Sequence, residues 1–183
     1  MADDTVLTIE STRSVDDAPA ACLLRWGARE WYASVPAVRQ TAEDLFTCAA
    51  YADMIGELLR VGMDAQAVGG LTTAMLAGRK SRYFGSPDTL YVLPGGSSAR
   101  KVGVVMLGRR NHHFHRGQAD GVLDAAEARE MGRAWLTSAE ASEADTLFGA
   151  VLARSQWMTA SELDALFGLL SDIRAGEAAV PPL

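Results

Sequence analysis

A chain of 183 residues with 49% hydrophobic and 22% charged side chains is long enough for one packed domain and too apolar to remain disordered. Its two cysteines exclude a disulfide framework, and no apolar run approaches the roughly 18 residues of a membrane span. A net charge of −6 works against indiscriminate nucleic-acid binding, because acidic surfaces repel phosphates.

The opening MADDTVLTIE is acidic and lacks the cationic and apolar parts of a signal peptide, so a cytoplasmic setting is expected. VLTIES alternates as a strand does. AACLLRW and EWYAS, around GARE, predict a hairpin. Ser34 then opens a helix with Pro36 in its first turn, where a missing N–H costs nothing. Val38, Ala42, Leu45, Ala49, Ala52 and Ile55 give that helix one apolar face. Gly62 marks its end. Asp64 caps a second helix to about Leu76, weakened by Gly69 and Gly70.

Beyond Gly78 the chain turns to strands. TLYVL and KVGVVML are short, β-branched and apolar, and PGGSSARK reads as the connection between them. The run GRRNHHFHRG, Gly108 to Gly117, holds all three histidines and is expected to be a further strand. GQADG leads to a capping box of Asp124 and Glu127, whose helix is predicted to run to about Ser142. A separate helix is expected through Leu147, Phe148, Val151 and Leu152. The last carries a second box, Thr159 with Glu162, and the stripe Leu163, Leu166, Phe167, Leu170 and Ile173.

Displacing the chain by 90 residues sets Ser34 and the helix after it on Asp124 and its helix. Arg39 falls on Arg129, Cys48 on Ser138, and CLLRWGARE on HHFHRGQAD. The expected fold is therefore α+β, a central antiparallel sheet covered by helices. If the repeat is real, it is also a pseudo-two-fold duplication of a ββα unit. Residues 1–78 would form one half, residues 79–175 the basic strands and C-terminal helices of the same compact domain, and 176–183 a mobile tail.

Charge is segregated along this order. Residues 79–116 hold eight basic side chains against Asp88 alone, while acids dominate on either side. Such a belt predicts a surface for an anionic partner, unless it is neutralised by the protein's own helices. Arginine outnumbers lysine fifteen to two, which fits GC-rich coding of the actinobacterial or phage kind more than any chemistry.

Within the belt, strand parity would place Arg110, His112, Phe114 and Arg116 on one face. With Arg109, Arg100 and Lys101 they make the candidate site for an anion or a partner. His113 and His115 share the opposite face and form an H-x-H pair able to bind a metal. Cupins use such a pair, but they add a following Glu and a later His that this chain lacks. The surrounding arginines also repel a divalent cation, so metal dependence through His113 and His115 is the weakest reading. GRKS, Gly78 to Ser81, fails as a phosphate loop because Arg79 separates Gly from Lys. The carboxylates Glu43, Asp44, Glu127 and Glu130 read as solvated charge, Cys22 and Cys48 as buried thiols, and the four tryptophans as core or interface anchors.

No catalytic motif or cofactor site emerges. The expectation is a non-enzymatic binding or regulatory protein whose basic strands, 79–116, meet an acidic protein surface or another copy in a homodimer. Nucleic acid or a phosphorylated ligand on the same strands is the alternative.

Overall fold

The computed structural model describes residues 7–12, 19–77, 90–109, 119–155 and 157–175. The α+β class expected from the sequence is what they form: two three-stranded antiparallel sheets with four helices. The first sheet has β1 (Leu7–Thr12), β2 (Ala21–Trp26) and β3 (Arg29–Ser34), with β2 in the centre. Ile9 faces Leu24 across one pair, and Cys22 faces Ala33 across the other. The turn between β2 and β3 is Gly27-Ala28, and Gly27 has φ 59°. A glycine with positive φ at the first central position is what a two-residue type II′ hairpin requires.

Helix α1 (Val35–Arg60) follows β3 directly. Ser34 occupies its N-cap with extended backbone, but its side chain makes no capping bond. The helix stops at Gly62, whose φ of 94° no L side chain adopts readily. In α2 (Ala65–Ala77) the Asp64 carboxylate accepts the N–H groups of Gln66 and Ala67 at 2.8 and 3.0 Å, and Gly69 and Gly70 do not interrupt the helix.

The second sheet holds β4 (Tyr91–Ser97), β5 (Val102–Gly108) and β6 (Gly121–Leu123), with β5 central. Pro94, Gly95 and Gly96 belong to β4 and not to the connection, which is a correction to the sequence reading. β4 is an edge strand, where proline is tolerated. At Gly96 the strand lies so close to α1 that a Cβ would stand 2.8 Å from Ile55 Cγ2.

Helix α3 (Ala125–Ser155) is one helix of 31 residues, not two. Ser142, where a break was expected, does not cap. Its hydroxyl lies 2.7 Å from the Thr12 carbonyl and also reaches that of Ala21, tying the helix to the ends of β1 and β2. Both capping boxes form. Asp124 N–H donates to Glu127 and Glu127 N–H to Asp124, at 2.7 and 2.8 Å. Thr159 N–H donates to Glu162 at 2.7 Å, where α4 (Ala160–Ala175) begins.

The core lies between α1 and α3 and under both sheets. The two helices run antiparallel, because Arg39 pairs with Glu143 while Asp53 pairs with Arg129. Small side chains such as Ala49, Ala52, Ala128 and Ala139 are fully or almost fully buried. Gly132 fits against the Phe46 ring, 3.1 Å from the place of a Cβ. Each sheet is covered mainly by the other half's helix: α1 packs on β4 and β5, and α3 on β1 and β2.

The halves thus share an order of three strands, a long helix and a shorter one. Arg39 and Arg129 stand 90 residues apart, as do Asp53 and Glu143, so the two clamps exchange places under that shift. These are equivalences of position, and a duplication does not follow from them. The upstream part of the repeat, at 110–118, lies outside the described residues.

Candidate binding site

Gly103 sets the position of the β4–β5 hairpin. A Cβ there would stand 1.7 Å from the Ala52 carbonyl oxygen, so β5 crosses α1 backbone to backbone. That crossing carries the hairpin turn, Ser98–Lys101, past the C-terminal half of α1. In the turn, Arg100 N–H donates to Ser97 Oγ at 3.3 Å, and Lys101 takes the left-handed conformation with φ 53°. Both cationic side chains are exposed, and neither forms an ion pair among the described residues.

Beside the turn, α1, α2 and β4 enclose a cleft of about 280 Å³. Ile55, Leu59, Val68 and Pro94 are among its apolar walls, and Ser98 stands at its turn end. Thr72 and Thr73 also line it, but their hydroxyls donate back to the Val68 and Gly69 carbonyls at 2.8 and 2.9 Å. Their protons are therefore used by the helix, and they offer a ligand methyl groups and acceptor oxygens but no donor. The volume is at the small end for ligand pockets and suits one or two side chains of a docked segment. The sequence reading missed this cleft. Its signal was the adjacent pair Gly95-Gly96 in an apolar strand, which marks a close backbone approach.

Arg109 has partners within the protein. Its backbone N–H donates to Asp120 at 2.7 Å, its guanidinium reaches the same carboxylate at 3.3 Å, and it stacks 5.2 Å over the Trp26 ring. This cation is used inside the protein. It links the ends of β5 and β6 to the first sheet, with its side chain still 34% exposed. Arg100 and Lys101 are thus at one end of β5 and Arg109 at the other. Arg110, His112, Phe114 and Arg116, with His113 and His115, lie outside the described residues.

Among the described residues, no group of three His, Cys, Asp or Glu is placed to hold a metal. No buried side-chain polar atom there lacks a hydrogen-bond partner. Cys22 and Cys48 are buried thiols that form no disulfide, as expected. Burial pushes the Cys22 thiol up to about 11, against a weaker opposing effect of its hydrogen bond with Ser142, so it is protonated and inert at neutral pH. Asp44 corrects the expectation of a solvated carboxylate: it is 6% exposed and accepts from Gln40 at 3.2 Å. Trp26 and Trp135 are core residues, whereas Trp157 is 82% exposed. No helix of the described residues is long and apolar enough to cross a membrane. No family model matches the chain, and no curated protein or solved structure shows significant similarity to it.

Proposed function

We propose that the protein is a non-enzymatic binding protein that takes an acidic protein segment at the α1–α2–β4 cleft. The observation that carries this reading is the adjacent pair Arg100 and Lys101, exposed without acidic partners among the described residues, two and three residues beyond Ser98 at the cleft's edge. Apolar walls supply affinity by burial, and a basic rim speeds association and selects against basic ligands. The ligand is then a short segment with one or two apolar anchors followed by Asp or Glu.

The test is selection of a displayed random-peptide library on the immobilised protein. Enriched peptides are expected to combine an apolar anchor with acidic residues and to bind less tightly as salt rises. Arg100→Glu with Lys101→Glu should slow their association. Gly69→Leu, which fills open space on the cleft wall, should raise their dissociation rate. Peptides indifferent to both changes would end the proposal, as would no enrichment at all.

A further inference from the structure

The C-terminal helices leave an apolar face uncovered. Helices α3 and α4 form an antiparallel hairpin joined by a short turn. Phe148 packs edge-on against Phe167 at 6.3 Å, and Arg174 pairs with Asp145. With about 100° per residue, these contacts fix which way every other side chain of the hairpin points. Leu147 and Val151 on α3 fall on the same side of the hairpin as Leu169 and Ile173 on α4. That side is turned away from Trp135, Ala139 and Ser142, which face the core. The exposures agree: Leu147 is 68%, Val151 54%, Leu169 46% and Ile173 39% exposed. With Phe148 they leave on the order of 500 Å² of apolar surface open, near the upper end of the largest patch a monomer normally carries.

The pattern along α3 identifies what covers it. Glu140, Ala144, Leu147, Val151 and Arg154 are all exposed. They recur at alternating steps of four and three, which is a coiled-coil seam. Leu147 is its centre. Glu140 and Arg154 stand seven residues to either side, roughly 10 Å each way, and neither has an ionic partner among the described residues. A seam with opposite charges at equal distances from an apolar centre is complementary to itself when run antiparallel. A two-fold axis at Leu147 sets Glu140 of each copy opposite the partner copy's Arg154, twice per dimer, while a parallel pairing would oppose like charges. With a polar rim, the open apolar area approaches the roughly 800 Å² per partner of a standard interface.

We propose that a second copy of this chain docks on the α3–α4 face, forming an antiparallel four-helix contact with Leu147 on the two-fold axis. This surface is separate from the cleft and does not depend on it.

Sedimentation and light scattering over a concentration series test it. The wild type should reach twice the chain mass of 19.5 kDa and hold it at high salt, because apolar burial carries the contact. Leu147→Asp should be monomeric with unchanged circular dichroism, since the side chain is exposed and nothing in the fold rests on it. Glu140→Arg and Arg154→Glu should each weaken dimerisation by roughly tenfold, and the two together should restore it. Dimers at wild-type strength in Leu147→Asp would overturn the proposal. So would a wild type monomeric at every concentration, or a double exchange no better than the singles.

Discussion

Replacing Gly103 by alanine tests the crossing on which the whole arrangement depends. The new Cβ would lie 1.7 Å from Ala52 O and 2.4 Å from the same carbonyl carbon, against an ordinary contact of 3.4–4 Å. Backbone meets backbone there, so no rotamer can give way, and α1 and β5 must separate by about 2 Å. A gap of even 0.5–1 Å forfeits roughly a quarter to a half of each contact's dispersion energy. The contacts at stake include the fully buried Ala49 and Val105, along with Ala52 and Leu107. Overpacking that side chains can absorb costs about 1–3 kcal/mol, and this case belongs above about 4 kcal/mol. A typical domain has only about 5–15 kcal/mol to lose. Gly70→Ala is the control of opposite sign: nothing lies within 4 Å of its Cβ, so the helix should gain about 0.5–1 kcal/mol. Urea unfolding followed by circular dichroism reads both. A Gly103→Ala loss below about 1 kcal/mol would refute the close crossing.

Two further substitutions probe the interior. Asp120→Asn should cost about 1–3 kcal/mol, because the carboxylate is largely buried and accepts two hydrogen bonds from Arg109; denaturant midpoints and Trp fluorescence measure it. The thiols should not react with Ellman's reagent in the native protein, and full reaction without denaturant would contradict their burial. Cys22 also gives a pH dependence. Folded, it holds its proton to about 11, raised from an ordinary value of 9.0. Between those values the folded state binds more protons than the unfolded one, so stability falls as pH rises through the window. Cys22→Ala should make that fall shallower.

What could be read from the sequence was local. Helix ends followed from Asp64, Asp124, Thr159 and Gly62, because capping chemistry needs only a few neighbouring residues. The β2–β3 hairpin followed from Gly27 for the same reason. What was not legible depended on distant partners. Ser142 looks like a stop until its hydroxyl is seen at the ends of β1 and β2. Asp44 looks solvated until α1 is covered. Pro94-Gly95-Gly96 looks like a turn until α1 lies against it. Arg109 counted toward a basic surface, and its contacts with Asp120 and Trp26 arise only once β5 meets β6 and the first sheet. Among the described residues of the candidate site, Arg100 and Lys101 are exposed without an ion pair, and the cleft beside them is built by elements far apart in the chain.

The exchange of helices between the sheets has a consequence for folding. In residues 1–78, the face of α1 bearing Ala49, Ala52 and Ile55 is covered by β4 and β5. In the rest, Trp135, Ala139 and Ser142 on α3 belong to the core against α1, β1 and β2. Among the described residues, neither half carries most of the surface that buries its own long helix. Each half alone would therefore expose several side chains worth about 1.5–3 kcal/mol apiece on burial, enough to exceed the stability of a fragment of that size. Separately expressed 1–78 and 79–183 should each lack a cooperative thermal transition. Mixing them should restore the circular dichroism of the intact chain and the clamps Arg39–Glu143 and Asp53–Arg129. The Arg39→Glu variant of the first fragment should then bind the second more weakly, and a second fragment carrying Glu143→Arg should recover the loss. A fragment that unfolds cooperatively alone would show that its sheet and helix bury each other, contrary to the crossed arrangement.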